Sequence, residues 1–250
     1  MGLFDKQLRT VREFVAAREL AGQAVTLPGF TGPGWPSGGR TGVVMSRDTA
    51  VELGHPDRES VSFLLWSDDM REVRDGVVTL IGPDLPACGG MSIPFGKIVI
   101  AGVEGFNEDN AYDRYREMDD IKYRIDLRGY MMRAAPQYRR EWSRVSRAAL
   151  SGGFSLSVLG ESIIERFRTL EYVRAVELVF VTSSTGDIRE LAPVSDGAAM
   201  ILWAMTRMVN EISLDCDACG YLPVCGEVSG LRTMRERLNQ KSNLLKSDEI

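Results

Sequence analysis

Three cysteines stand within ten residues, in the segment Cys216-Asp-Ala-Cys219-Gly-Tyr-Leu-Pro-Val-Cys225. The two residues between Cys216 and Cys219 let the backbone curl so that both sulfurs face one point, and Cys225 can close around the same ion or cluster. Zinc and iron–sulfur clusters both accept such sulfur ligands, and zinc normally takes four. The spacing therefore predicts a metal or iron–sulfur centre held by these three cysteines.

The fourth ligand of such a centre is left open by the sequence. Candidates are the distant Cys88, the neighbouring Asp215 or Asp217, a partner chain or an exogenous ligand. The two aspartates would stabilise a bound cation, so metal ligation is favoured over a free nucleophilic thiol. The centre could be a structural knuckle between two helices or a redox or catalytic cluster. Cys88 as a nucleophile is a further alternative, whereas the single histidine, His55, nearly excludes a multi-histidine site.

A basic stretch lies between residues 122 and 147, with eight basic against two acidic residues in a chain whose net charge is −5. This asymmetry predicts a positive patch on an acidic protein. The net negative charge opposes approach to a polyanion, so nucleic-acid binding is disfavoured. A phosphate-bearing small molecule or an acidic partner such as a ferredoxin fits the patch better, while pairing with the acids of residues 104–120 is the alternative.

The pattern around this patch predicts a helix over residues 134–150. On it, Arg140, Arg144 and Arg147 would share a face at i, i+4 and i+7 spacing, with Arg133 close to the start. Arginine presents a planar fork that suits phosphate or carboxylate groups, and Trp142 adds an aromatic surface that could stack a base.

Both helical and β-type patterns occur along the chain. Helices are predicted over residues 5–22, 134–150, 161–174, about 187–212 and 227–245, and strands over 61–66, 76–81, 97–103 and 175–182. These elements indicate the α/β (α+β) class: a small mixed sheet packed with several helices, and a cysteine-rich metal-binding segment before a C-terminal helix. We expect three parts: residues 1–54 as a helix and a Gly/Pro-rich arm, 55–214 as the α/β domain, and 215–250 as the cysteine segment with the last helix.

No stretch of the sequence has the length of uninterrupted apolar residues that a membrane helix needs, and the charged first 20 residues do not resemble a signal peptide. The expected location is the cytoplasm, where cysteines more often bind metals or react than form disulfides.

Four segments of the sequence resemble the acetyl-CoA synthase family, the β-subunit of the carbon monoxide dehydrogenase/acetyl-CoA synthase complex. They are Phe63-Leu-Leu-Trp-Ser-Asp-Asp69, Asp75-Gly-Val-Val-Thr-Leu-Ile-Gly-Pro-Asp84, Tyr138-Arg-Arg-Glu-Trp-Ser-Arg-Val-Ser-Arg147 and Val179-Phe-Val-Thr-Ser-Ser184. The resemblance covers roughly residues 55–230, from the middle domain of that family through its first cluster cysteines.

The resemblance implies a division of roles. The middle domain of the family helps to handle coenzyme A through basic residues and a tryptophan, so Arg133, Arg140, Trp142 and Arg144 become candidates for contact with coenzyme A or an acyl-CoA. The cysteines that follow hold the [4Fe–4S] part of a nickel–iron–sulfur cluster in the family, so metal-ligand candidates are the three clustered cysteines, with Cys88 as a possible fourth. The family's later Cys-Gly-Cys segment is missing, and we expect an iron–sulfur site, with zinc as the alternative.

The resulting hypothesis is an acetyl-CoA synthase-like iron–sulfur protein of anaerobic one-carbon or acyl-CoA metabolism. If the chain is an enzyme, it is expected to be an acyltransferase within a multi-subunit complex. Its expected partners are other subunits of that complex, with a ferredoxin or a corrinoid protein as further candidates. The rival hypothesis is a non-catalytic electron-transfer, assembly or scaffold subunit with a structural zinc or iron–sulfur knuckle.

Overall fold

The computed structural model describes residues 2–29, 34–39, 42–88, 91–135, 140–210 and 219–247. Its helices are α1 (Asp5–Leu20), α2 (Ala111–Asp120), α3 (Arg147–Ser151), α4 (Leu156–Arg168), α5 (Thr185–Asn210), α6 (Leu222–Glu227) and α7 (Ser229–Ser247). Its strands are β1 (Ala24–Thr26), β2 (Thr49–Leu53), β3 (Ser60–Ser67), β4 (Val78–Ile81), β5 (Ser92–Ile93), β6 (Phe95–Val103), β7 (Tyr130–Ala135), β8 (Arg140–Ser146) and β9 (Val173–Val181).

A five-stranded mixed sheet in the order β1-β4-β9-β6-β3 forms the centre of the fold. Strands β6 and β9 are apolar almost throughout because helices cover both faces of this sheet. A side chain at Gly160 of α4 would meet Phe180, whereas one at Gly96 would meet Val181 and Ile188 of α5. Since Phe180 and Val181 are consecutive on β9, they point to opposite faces. Helices α4 and α5 therefore pack on opposite sides of the sheet.

A second, four-stranded mixed sheet in the order β5-β2-β8-β7 lies beside β3. Along β8 the buried residues Glu141, Ser143 and Val145 alternate with more exposed ones, so one face of this sheet packs inward and the other faces outward. Glycine is required at position 54, where φ is +66° and a Cβ atom would lie 2.4 Å from the carbonyl oxygen of Glu141. This close approach fixes the start of β8 against the end of β2.

The predicted fold class is confirmed, since sheets and helices mix along the chain. Strands β3, β4, β6 and β9 and helices α1, α5 and α7 match predicted elements within a few residues, and α4 lies about five residues before its prediction. The division into three parts stays a prediction, although a single apolar core runs from Leu3 to Met234. None of the described helices combines the length and the apolar character needed to cross a membrane.

The predicted helix over residues 134–150 is wrong. The structure has the end of β7, the strand β8 and only the short α3 in the described part of that range. Arginines four residues apart share a face in a helix and also in a strand, where every second residue points the same way. The arginine spacing alone could not separate the two, and pairing of β8 with β2 and β7 decides for the strand.

Candidate functional site

The outward face of the four-stranded sheet carries all four residues that the resemblance assigned to an acyl carrier. Arg140, Trp142 and Arg144 alternate along β8 and project to the same side. Arg133 of β7 lies directly opposite Trp142 in the antiparallel register, so it shares that face. The structure thus brings the four predicted residues together on a sheet, although the sequence pattern had placed them on a helix.

Arg144 is fixed in place by its neighbours on this face. Its Nε donates to Oε1 of Glu52 on β2 over 2.8 Å, and its Nη1 reaches the carbonyl oxygen of Val44 at 3.5 Å. Its guanidinium carbon stands 4.6 Å from the ring centre of Trp142, a cation–π arrangement. Ser92 donates to the other oxygen of Glu52 over 3.1 Å. No local pattern in the sequence points to Glu52, because its partner Arg144 lies on a strand that is distant in sequence.

The indole nitrogen of Trp142 is shielded from solvent, although the residue lies on this face. Its Nε1 is buried and has no hydrogen-bond partner among the described residues. The ring of His55 packs edge-on against it with the centroids 5.4 Å apart. Buried polar groups are nearly always hydrogen-bonded in native proteins, so the acceptor of this N–H is expected outside the described residues.

A cleft of about 300 Å³ opens where β8 begins, between the two sheets and α5. It has the dimensions of a small-molecule site. Its wall carries the cations Arg116, Lys122 and Arg140 and the aromatic rings of Tyr112 and Trp203. Lys122 forms an ion pair with Asp119, which also lines the cleft, with an Nζ–Oδ1 distance of 2.6 Å. The cleft and the outward face meet at Arg140.

A buried ion pair adjoins this cleft. Nζ of Lys97 lies 2.5 Å from Oε2 of Glu141, and the hydroxyl of Ser62 donates to the same oxygen over 2.8 Å. Lys97 and Glu141 are only 6% and 1% exposed. The pKa of Tyr130 is raised, first by burial and then by the charge of Glu141. The other oxygen of Glu141, Oε1, is buried without a hydrogen-bond partner among the described residues.

The sequence patterns did not predict this ion pair. Glu141 and Ser62 line the cleft, and Lys97 lines an adjacent pocket that shares Ser62 and Lys122 with it. A signal was available, since Lys97 is the one charged residue within the otherwise apolar run Phe95–Val103. A lysine in a buried strand is expected to have a buried anionic partner. Its identity could not be read from the sequence.

Two of the clustered cysteines line one small cavity. Cys219 and Cys225 share it with Arg207 of α5 and Arg235 of α7. Nη1 of Arg207 donates to the sulfur of Cys219 over 3.3 Å. Cys216, like Asp215 and Asp217, lies outside the described residues, and within the described ranges no group of three metal-ligating side chains occurs. The two thiols fit a sulfur-ligated centre in their type and in their shared cavity.

Cys88 lies at the other end of α5. Its sulfur is 3.9 Å from the carbonyl oxygen of Pro83, which accepts a hydrogen bond from Thr182, just before α5 begins. Arg207 stands 22 residues after the first residue of α5, about 33 Å along the helix. The structure therefore does not bring Cys88 to the cavity of Cys219. Burial and the charge of Asp84 raise the pKa of the Cys88 thiol, which disfavours the nucleophile alternative.

Comparison with known protein families decides the relationship. A model of the CO dehydrogenase/acetyl-CoA synthase complex beta subunit matches residues 40–188, more than half of the chain. The chain belongs to this beta-subunit family. No curated protein matches the chain. The beta-subunit match includes β2 to β9, and with them the outward face of the four-stranded sheet and the buried ion pair. It ends before Cys219 and Cys225.

Membership in the beta-subunit family supports a function related to acetyl-CoA synthase within a multi-subunit CO dehydrogenase complex. The match does not reach the clustered cysteines, so it bears on the sheet face and not on the metal centre.

Proposed function

We propose that this chain is an acetyl-CoA synthase-like subunit that binds coenzyme A or an acyl-CoA on its four-stranded sheet and holds a [4Fe–4S] cluster through Cys216, Cys219 and Cys225. The observation that carries the proposal is the grouping of Arg133, Arg140, Trp142 and Arg144 on one sheet face in a chain of this family. The metabolic setting is anaerobic one-carbon or acyl-CoA metabolism. A ferredoxin or a corrinoid protein remains a predicted partner.

In this proposal the sheet face binds the phosphorylated end of the acyl carrier. Arg133 and Arg140 are exposed and have side chains able to reach phosphate oxygens, which arginine binds with paired hydrogen bonds. Arg144 already pairs with Glu52, so its guanidinium is not fully free to bind a phosphate. In this proposal it positions Trp142 and adds positive charge to the face. The cleft beyond Arg140 has room for the remainder of the molecule.

Cys219 and Cys225 would hold the cluster where α5, α6 and α7 meet, with Cys216 as the predicted third ligand. Thiolate sulfur is the usual ligand of such clusters, which when bound supply redox chemistry. Arg207 and Arg235 place positive charge around the thiols, and Arg207 already donates to the Cys219 sulfur. This charge stabilises thiolates, and hydrogen bonds to sulfur are one of the means by which proteins tune cluster potentials.

A second candidate is a structural zinc or iron–sulfur knuckle in a non-catalytic subunit. The observation in its favour is that the cysteine cavity is lined by α5 and α7, two helices that pack against each other, together with the short α6. A metal at this position would link α7 to α5. Metal identity and coenzyme A binding separate the two candidates.

Coenzyme A binding is tested by calorimetric titration of the full chain. We expect binding to the wild type and a loss of roughly tenfold or more in affinity for Arg140→Ala and for Arg133→Ala, because each removes a charge-assisted hydrogen bond. Arg128→Ala, an exposed arginine on a loop before β7, is the matched control and should bind as the wild type does. Absence of binding, or equal binding by all variants, contradicts the proposal.

The metal centre is tested by iron, sulfide and zinc analysis of anaerobically purified protein. We expect iron and sulfide in the wild type and their loss in Cys219→Ser and Cys225→Ser. Cys88→Ala should keep its iron, since Cys88 lies at the far end of α5. Stoichiometric zinc without sulfide would favour the structural knuckle, and a metal-free wild type would contradict both candidates.

A further inference from the structure

Glu141 is a buried carboxylate with hydrogen-bond partners on only one of its oxygens in the described part of the chain. Oε2 receives both the ammonium of Lys97 and the hydroxyl of Ser62, whereas Oε1 has no partner among the described residues. Leaving a buried acceptor unpaired costs free energy comparable to a lost hydrogen bond. In a native protein such a group requires an explanation, and a ligand donor is one.

The position of the carboxylate favours a ligand. Glu141 lines the cleft of about 300 Å³, next to Arg140 at the start of β8. Its oxygen Oε1, unpaired among the described residues, belongs to a residue of the cleft wall, so a bound molecule can supply the missing donor. Glycine at position 54 and the contact of the Glu141 amide with Ser60 hold this part of β8 in place. The acceptor is therefore presented from a rigid strand.

The charges around the site define the chemistry of the donor. Lys97 already neutralises Glu141, so a cationic donor gains little and an uncharged N–H or O–H is sufficient. The rim of the cleft is cationic through Arg116, Lys122 and Arg140, which attracts an anionic group on the same molecule. The site fits a ligand with an anionic end and a neutral arm that carries amide or hydroxyl donors.

We infer that Glu141, oriented by Lys97 and Ser62, accepts a hydrogen bond from an amide N–H or hydroxyl of the pantetheine arm of the acyl carrier. This inference rests on the proposed function, because it assigns the neutral arm of coenzyme A to the cleft and its phosphates to the arginines. Glu141 then acts as a specificity residue: it distinguishes a carrier with an arm from a nucleotide without one.

The test compares coenzyme A with 3′-phospho-ADP, which carries the phosphates and the base but lacks the arm. Glu141→Gln keeps the shape of the side chain. Lys97 and Ser62 hold the amide oxygen, which leaves the NH₂ group at the position of Oε1 and presents a donor where the ligand needs an acceptor. We expect roughly tenfold weaker binding of coenzyme A and unchanged binding of 3′-phospho-ADP, measured by calorimetry. Glu165→Gln, on the exposed side of α4, is the matched control.

The outcomes separate the two levels of the proposal. Equal loss for both ligands, or no loss for either, overturns the assignment of the arm while leaving the coenzyme A site in place. Failure of the wild type to bind coenzyme A overturns the proposed function, and the assignment falls with it. If Glu141→Gln does not fold, the double variant Lys97→Met/Glu141→Leu removes both charges together and must show the same selective loss of coenzyme A binding.

Discussion

The fold contains two buried carboxylates that differ in their hydrogen-bond partners. Glu177 lies in the five-stranded sheet and Glu141 in the four-stranded sheet. Each is almost completely covered, at 0% and 1% exposure. Arg12 donates to both oxygens of Glu177, each over 2.6 Å, and Arg74 donates from its Nε and its backbone amide. Glu141 has a lysine and a hydroxyl on one oxygen and nothing described on the other.

The difference separates a structural ion pair from a binding group. Glu177 joins α1 to the turn before β4 with every acceptor position in use, so nothing is left for a ligand. Glu141 lines a cleft, and its Oε1 has no hydrogen-bond partner among the described residues. Removing Glu177 should therefore damage the fold, while removing Glu141 together with Lys97 should damage recognition.

The largest expected effect is that of Glu177→Ala on stability. The change removes the buried anion that Arg12 and Arg74 share, and among the described residues only Arg74 keeps another carboxylate partner, Glu19. Loss of one partner of a buried pair costs about 3–5 kcal/mol. Equilibrium denaturation with urea should show this loss in the free energy of unfolding. A cost below about 1 kcal/mol would show that Glu177 is not the structural carboxylate of the pair.

The double variant Lys97→Met/Glu141→Leu should not lower the free energy of unfolding, in contrast to Glu177→Ala. Replacing a buried ion pair by apolar residues of similar volume is often neutral or stabilising by about 1–4 kcal/mol. We expect the free energy of unfolding in urea to stay the same or rise, while coenzyme A binding falls. Marked destabilisation would place Lys97 and Glu141 in the same structural class as Glu177.

Lowering the pH should remove the contribution of ionised Glu177 to stability. The two arginines and the backbone amide outweigh burial and hold the pKa of Glu177 below its usual value of 4.5. The stabilisation is thus complete above about pH 5 and is lost as the pH falls from 4.5 through the lowered folded-state pKa. Unfolding free energies measured between pH 7 and 3 should fall less steeply in Glu177→Gln than in the wild type. Identical slopes would contradict this role.

The smallest expected effect on stability is that of Glu165→Gln, the control on the exposed side of α4. Such a surface substitution should change the free energy of unfolding by no more than about 0.5 kcal/mol. Glu141→Gln should cost clearly more, because it leaves the buried ammonium of Lys97 without its anion. Thermal denaturation of both variants and the wild type in the absence of ligand measures the difference. Equal stability of the two variants would show that the buried ammonium does not depend on the charge of Glu141.

Much of the fold was predictable from local patterns. The apolar runs of β3, β4, β6 and β9 indicate buried strands, and the long periodic stretches of α5 and α7 indicate helices. The second sheet was not predictable in the same way. Its strands are short, β8 reads as a basic helix, and only pairing with β2 and β7 determines its state.

The candidate site, too, was predictable only in its local features. The sequence by itself determined which chemical groups are available: clustered cysteines, a basic stretch with a tryptophan, and a family resemblance that the beta-subunit match bears out. It identified Arg133, Arg140, Trp142 and Arg144 as a group, because residue types and spacing are local properties.

Only the tertiary structure decided how those groups are used. It placed the arginines on a sheet face, separated Cys88 from Cys219 by the length of α5, and joined Lys97 of β6 to Glu141 of β8. These relations depend on strand pairing and helix packing between segments that are far apart in the chain. The free energy that selects them comes from burial and pairing across the whole fold, which no local pattern records.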